Sequence, residues 1–384
     1  MYNDDFLQNK LIERKQQNAF RILRLPDAKI DFCSNDYLGL ATIGNRYKGI
    51  GIGIEINQKD DNESYINHDI FLATGSAGSR LLAGNYSLIE ETEQQIASFH
   101  DAETGLIFNS GYDANIGLLG CVPQKGDTIL YDFLSHASIR DGIRLSPAQS
   151  FAFLHNDLND LERRLKHSIG TIFVVTETVF SMDGDCCPLL EVINLCKKYS
   201  AHLILDEAHA TGVVGEKGEG LSQYLNLHKE VFARVHTFGK ACGCHGAIVL
   251  GSQGLRDYLI NFARSFIYST ALPPHAIATI ARSYSTFPLM KAEREHLYSL
   301  ISYFQSADIS YPKLISTTPI QVVIVEGNTE VKKVASLLQE NNLDVRPILY
   351  PTVPKGKERL RIVLHSFNTK EEVELLVGLL SNKF

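Results

Sequence analysis

Short apolar runs that end in charged or small polar residues, alternating with helical patterns, constrain this 384-residue chain more than any other feature. Residues 171–180 (TIFVVTETVF), 202–205 (HLIL) and 247–251 (AIVLG) are short and rich in β-branched side chains, so they read as buried strands. Between the first two, residues 189–199 (LLEVINLCKKY) place apolar side chains at 189, 190, 192, 193, 195 and 196, one face of a helix. Strand, helix and strand in that order require crossover connections, and these imply a mainly parallel sheet. The predicted fold class is therefore α/β. In such sheets ligands gather beyond the carboxyl ends of the strands.

The rest of the chain sets the organisation around that sheet. Residues 1–40 read as an N-terminal helix and arm, 41–284 as a large domain and 285–384 as a smaller α+β domain. Ser87-Leu-Ile-Glu90 has the form of a capping box opening a helix that runs to about Phe99. A further helical pattern begins near Asp113. Towards the C-terminus, residues 329–342 and 369–382 are amphipathic helices, the second opened by Thr369-Lys-Glu-Glu372, with apolar stretches at 343–349 and 360–364 between them. Residues 44–70 show no period, contain a Gly-Ile-Gly-Ile-Gly-Ile run at 49–54, and are predicted to form a surface excursion.

Charge and cysteine usage exclude several classes. With 37 Lys and Arg against 44 Asp and Glu, the formal charge is −7, and no basic stripe favours a nucleic acid. No window reaches the roughly 18 uninterrupted apolar residues of a membrane helix. The first twenty residues carry both charge signs without an apolar core, unlike a signal peptide. The seven cysteines are odd in number, and neither Cys186-Cys187 nor Cys242-x-Cys244 has the spacing of a structural zinc site. Reduced thiols, a cytoplasmic location and no bound metal are the expectation.

Several residues carry possible chemistry. Asp206 ends an apolar strand, where a carboxylate is costly without a partner, and a protonated pyridine nitrogen would be one. Lys240 stands in Thr237-Phe-Gly-Lys before a glycine-spaced segment. Residues 108–112 (FNSGY) precede a helical pattern, so backbone N–H groups there could face an anion. Residues 75–80 (GSAGSR) are small enough for close backbone approach but match no nucleotide-binding fingerprint. His136 and His209 lie in short polar segments after apolar runs. Taken singly, each has an ordinary reading: a solvated lysine, a strand-end turn, a plain helix start or a structural histidine.

Their order along the chain carries more. From residues 34–40 (SNDYLGL) through Gly111-Tyr112, His136, Ser181-Met-Asp-Gly184, Asp206-Glu-Ala-His209 and Thr237-Phe-Gly-Lys240 to Thr352-Val-Pro354, the sequence resembles the α-oxoamine synthases, pyridoxal-phosphate enzymes of fold type I. The resemblance spans nearly the whole chain. It implies a large domain with a mainly parallel central sheet, a smaller α+β C-terminal domain and pyridoxal 5'-phosphate as cofactor. Lys240 would attach to the cofactor aldehyde, Asp206 would pair with the pyridine nitrogen, and His136 would stack on the ring and contact substrate. Ser181 and His209 would hydrogen-bond the cofactor oxygen or position the ring, and Gly111, Tyr112 and Thr237 would hold the phosphate.

Thr270, in Tyr268-Ser-Thr-Ala, resembles the segment that reaches the phosphate of a neighbouring subunit, which implies a homodimer with shared active sites. Arg361 would bind the amino acid carboxylate, Asn35 lies in the segment that would line the same pocket, Arg21 would bind the acyl substrate, and Thr352 would contact substrate. Within the group the likeness points to the biotin-pathway member, which uses L-alanine and a pimeloyl thioester on CoA or acyl-carrier protein. A glycine-using sibling shares the motifs. An aminotransferase, which takes a keto acid and no thioester, and a non-catalytic partner subunit are the readings from other classes; the latter would be expected to lack Lys240. Three departures fall near the implied acyl site: the segment between Leu25 and Asp31 is shorter than the expected hairpin, the 44–70 excursion exceeds the family's usual linker, and Leu349-Tyr350 stand where a bacterial relative has more basic character.

Overall fold

In the computed structural model, which describes residues 5–23, 28–41 and 74–382, the strands of the described residues are numbered in chain order. They are β1 (Ile30–Asp31), β2 (Thr104–Phe108), β3 (Thr128–Asp132), β4 (Gln149–Phe153), β5 (Ile172–Glu177) and β6 (His202–Asp206). There follow β7 (Ala233–Thr237), β8 (Ala247–Gly251), β9 (Ile320–Ile324), β10 (Leu343–Asp344), β11 (Arg346–Ile348) and β12 (Arg359–Val363). The predicted excursion at 44–70 lies outside the described residues. The chain divides into a large unit, 38–180 with 186–294, and a small unit, 1–37 with 181–185 and 295–384.

The large unit is built on a seven-stranded sheet of order β2-β8-β7-β6-β5-β3-β4. Only β8 runs against the others, so the sheet is mainly parallel, as the alternating pattern predicts. Both faces are buried, which is why its strands read as continuous apolar runs rather than alternating ones. Phe173, Val175, Ile204 and Val235 pack on one face with Ala114 and Leu118 of the helix Gly111–Cys121. Val174, Leu203 and Leu205 pack on the other with Val192 and Ile193 of the helix Leu189–Lys198.

Because side chains alternate along a strand, the same register sorts the polar strand ends. Glu177 shares a face with Val175, Asp206 with Ile204 and Thr237 with Val235. Asp132, at the end of β3, lies on the opposite face with Leu130. There it accepts hydrogen bonds from the backbone of Leu134 at 2.8 Å and Asn156 at 3.0 Å, and pairs with His155 Nδ1 at 2.9 Å.

Two helix starts differ from expectation. The helix Ser87–Phe99 forms, but no capping box opens it: its N-cap is Tyr86, which makes no side-chain cap. Ser87 is already helical, and the chain entry is instead held by the Tyr86 phenol, which donates to the Leu272 carbonyl at 2.7 Å. The other helix begins at Gly111 rather than near Asp113, with Ser110 as N-cap. The capping box at Thr369 and Glu372 forms as predicted and opens the helix Lys370–Ser381.

The small unit holds an antiparallel sheet of order β11-β12-β9, and β1 pairs with β10 beside it. Leu360 and Ile362 of β12 are buried, as are Val331 and Leu338 of the helix Asn328–Glu340 and Val373 and Leu376 of the final helix. Arg359 and Arg361 occupy alternate positions on β12 and share its other face.

Candidate functional site

A pocket with about 500 Å3 of empty space opens in the large unit at the carboxyl ends of β5, β6 and β7. Parallel strands deliver side chains there from segments far apart in sequence. The pocket brings together Gly111, Tyr112, His136, Asp206, His209, Thr237 and Lys240, seven of the residues singled out from the sequence.

Asp206 is nearly buried and held by two donors. Asn115 Nδ2 donates to one carboxylate oxygen at 2.8 Å and the Ala208 backbone N–H to the other at 2.9 Å. Asn115 Nδ2 also donates to Ser138 Oγ at 3.0 Å, and Ser138 Oγ lies 2.8 Å from His136 Nδ1. The Ser138 backbone N–H donates to the same nitrogen at 3.2 Å. Nδ1 is therefore the acceptor, and the neutral ring carries its proton on Nε2. His136 caps the helix Ala137–Leu145 with an exposed ring, yet the surrounding protein removes enough water to lower its pKa. Lys240 lowers it further, against the opposing pull of Asp206 and Asp141.

The helix Gly111–Cys121 opens with its first turn in the pocket wall. Ser110 Oγ accepts from Asp113 N–H at 3.0 Å, so the first-turn N–H groups of Gly111 and Tyr112 precede the capped position. A Cβ at Gly111 would lie 3.4 Å from Thr237 Oγ1, ordinary contact distance, so the helix start and the threonine hydroxyl are neighbours. Thr237 Oγ1 itself donates to the Gly246 carbonyl at 3.2 Å. The Tyr112 phenol donates to Asp141. His209 is buried in the pocket wall.

Three polar lining residues, Glu177, Asn115 and Ser138, escaped the sequence reading. Glu177 ends β5 as Asp206 ends β6, and the two are register partners on adjacent parallel strands. The signal was present, because a carboxylate closing an apolar run marks both. Burial and the neighbouring Asp206 charge push the Glu177 carboxyl well above its ordinary range, against the His136 N–H that it accepts at 2.6 Å and the Lys240 charge. Asn115 lies one turn into a helix and Ser138 in the next, and nothing in their spacing connects them to Asp206.

The remaining predicted residues lie outside this pocket. Ser181, Asn35 and Arg361 meet in the small unit: Arg361 Nε donates to the Ser181 carbonyl at 2.7 Å and its Nη2 to Asn35 Oδ1 at 3.0 Å. Arg359 pairs with Asp183 of the same short segment. Gly184 completes the turn at φ +74°, where an added Cβ would fall 2.2 Å from the Ile320 carbonyl. Arg21 and Thr352 also find each other, Nη2 donating to Oγ1 at 3.2 Å, both exposed. Thr270 is exposed, and its carbonyl accepts from Asn109 Nδ2 at 2.8 Å.

The chemistry of this donor set fits pyridoxal phosphate. When bound, its ring nitrogen would find the held carboxylate of Asp206, its aldehyde Lys240, and its phosphate the helix start at Gly111 with Thr237. The family model for class I and II aminotransferases matches residues 27–380. The chain belongs to that family. An 8-amino-7-oxononanoate synthase of Emericella nidulans is 41% identical over 397 residues, covering 97% of this chain and 94% of the relative. Among solved structures, an 8-amino-7-oxononanoate synthase from Francisella tularensis is 28% identical, with a TM-score of 0.75, and the match covers 93% of this chain and 98% of that one. A serine palmitoyltransferase from S. paucimobilis with bound PLP shares the fold at a TM-score of 0.84 and 23% identity, covering 99% and 98% of the two chains. No helix of the described residues is long and apolar enough to cross a membrane.

Proposed function

We propose that this family member condenses L-alanine with a pimeloyl thioester, releasing carbon dioxide and free thiol and yielding 8-amino-7-oxononanoate. The observation that carries the reading is the convergence of Asp206, His136, Thr237 and Lys240 in one strand-end pocket, together with the likeness to the named synthases over nearly the whole chain.

Pyridoxal phosphate, when bound, draws electrons from the amino acid Cα and so eases loss of a proton or of carbon dioxide there. Lys240 holds the cofactor before substrate arrives and then moves the proton at Cα. Asp206, kept in place by Asn115 and Ala208, balances a positive charge on the pyridine nitrogen. His136 flanks the ring with its orientation set by Ser138. The Gly111 and Tyr112 N–H groups and Thr237 take the phosphate, and His209 positions the ring. Arg361 with Asn35 takes the amino acid carboxylate as a charge-assisted clamp, and Arg21 with Thr352 takes the acyl substrate. Thr270 serves the phosphate of a second copy, which makes the working unit a homodimer. The odd number of cysteines, seven, supports a reducing, cytoplasmic setting.

Thiol release with pimeloyl-CoA and each of L-alanine, glycine and L-serine tests the reading. Release with L-alanine alone is expected. Turnover of glycine with acetyl-CoA and none with pimeloyl-CoA would replace the substrates and leave the cofactor assignment intact.

A further inference from the structure

Glu177 is buried to 3% exposure in the wall of the cofactor pocket, and the proposed chemistry gives it no role. A carboxyl group beside Asp206 is a costly occupant of an otherwise apolar strand end. It has one clear partner, the His136 backbone N–H at 2.6 Å. That N–H belongs to a helix N-cap residue, so no helix carbonyl accepts it, and Glu177 satisfies it from the neighbouring strand.

We propose that Glu177 is a positioning residue for the reaction: by accepting the His136 N–H it seats the backbone from which the His136 ring is aimed at the cofactor. The inference rests on the reading that this pocket takes pyridoxal phosphate. His136 is then fixed twice, at its ring nitrogen by Ser138 and at its backbone by Glu177. The two supports come from different elements, the helix Ala137–Leu145 and β5, so neither substitutes for the other.

Charges face Glu177 from several elements. Asp206 comes from β6 and Lys240 from the turn after β7, the His136 N–H is its hydrogen-bond donor, and Asp132 of β3 adds negative charge from the opposite face of the sheet. Burial and the two aspartates favour the neutral acid. A neutral carboxyl still accepts through its carbonyl oxygen, and so does the amide of glutamine. Glutamine therefore preserves the proposed role, whereas leucine, of similar size, removes it.

The test uses the full chain loaded with pyridoxal phosphate and compares E177L and E177Q with the parent. The readouts are the visible circular dichroism of the bound cofactor without substrate, the cofactor Kd, and the kcat and KM for L-alanine. In E177L the cofactor dichroism should change, Kd should rise about tenfold, and kcat should fall about 100-fold with KM altered less than about threefold, as expected for a misplaced reacting group. E177Q should restore the parent dichroism and bring kcat back to within about threefold. A role confined to stability would lower the melting temperature and leave the dichroism of the folded fraction unchanged, which overturns the proposal. So would an E177Q variant as impaired as E177L. Should E177L fail to fold, E177Q still decides, because a cofactor dichroism unlike the parent's there counts against the role. Failure of the parent to bind pyridoxal phosphate would instead overturn the functional reading itself.

Discussion

In the large unit, Asp206, Glu177 and Thr237 share a face because backbone register puts them there. In the small unit, Arg361 reaches Ser181 and Asn35 through side-chain hydrogen bonds that span 180 and 326 residues of chain. A register cannot shift by one residue without turning every buried side chain to the wrong face. The pocket is therefore tolerant of single side-chain losses as a structure, and such losses should appear in chemistry. The arginine cluster has no such protection. Its geometry is the hydrogen bonds themselves, and losing one arginine releases both partners at once.

The largest effect that tests this contrast belongs to Lys240. K240A should lower kcat for thiol release by at least about 10³-fold, the scale of losing a positioned proton carrier, and borohydride should no longer link the cofactor to the chain. The melting temperature of the apo-protein should stay near the parent's. Asp206→Ala should reduce turnover by about 10²- to 10³-fold, the scale of losing one fixed electrostatic partner, again with the fold retained by far-ultraviolet circular dichroism. Near-parent turnover in that variant would contradict the role given to Asp206.

Arg361→Ala should act differently. Hydrogen bonds to charged groups are worth about 1.5–3 kcal/mol, so the KM for L-alanine should rise about 10- to 100-fold. Proteolysis within 181–185 should also quicken, since the Ser181 carbonyl loses its donor. A raised KM without faster cleavage would show that Arg359 and its pair with Asp183 suffice to hold the segment. Arg21→Ala sits at the small end of the scale. Its single exposed bond to Thr352 should change stability by less than about 1 kcal/mol, with the effect confined to a KM for the acyl thioester raised about two- to fivefold.

Acid should separate the two units as well. Behind the large sheet, His100 and His236 are fully buried with ring centroids 3.9 Å apart, and burial holds both pKa values well below 6.5. Arg234 lowers both further, and each lacks a carboxylate among its main influences. In the small unit His365 is also lowered by burial, but Asp31 and Asp36 oppose the shift. For groups depressed in the folded state, the unfolded chain binds protons first as pH falls past about 6.5. Their contribution to stability is therefore complete above that value and declines below it, by up to about 1.4 kcal/mol per pH unit for each histidine. Hydrogen exchange at pH 7.5 and pH 5 should show protection lost first around β7 and the helix Ser87–Phe99. Earlier loss at β12 would reverse the comparison.

Much of the molecule was readable beforehand because the physics involved is local. Apolar runs bounded by polar residues mark strands buried on both faces, and Thr369 with Glu372 marks a helix start, since the capping partners lie three residues apart. The same local signal misled at Ser87, where a tertiary bond from Tyr86 to Leu272 sets the entry one residue earlier. Glu177 carried the same mark as Asp206 and was passed over, because a strand-end acid shows no function until its neighbours are known.

The sequence by itself determined the α/β alternation, the family and the residue types a pyridoxal-phosphate site requires, since periodicity and ordered motifs are properties of the chain alone. Only the tertiary structure decided that Asn115 and Ser138 connect Asp206 to His136, that Glu177 accepts the His136 N–H, and that Arg361 holds the Ser181 carbonyl. Those contacts depend on strand register and helix placement, and no spacing along a chain encodes the distance between residues that folding brings together.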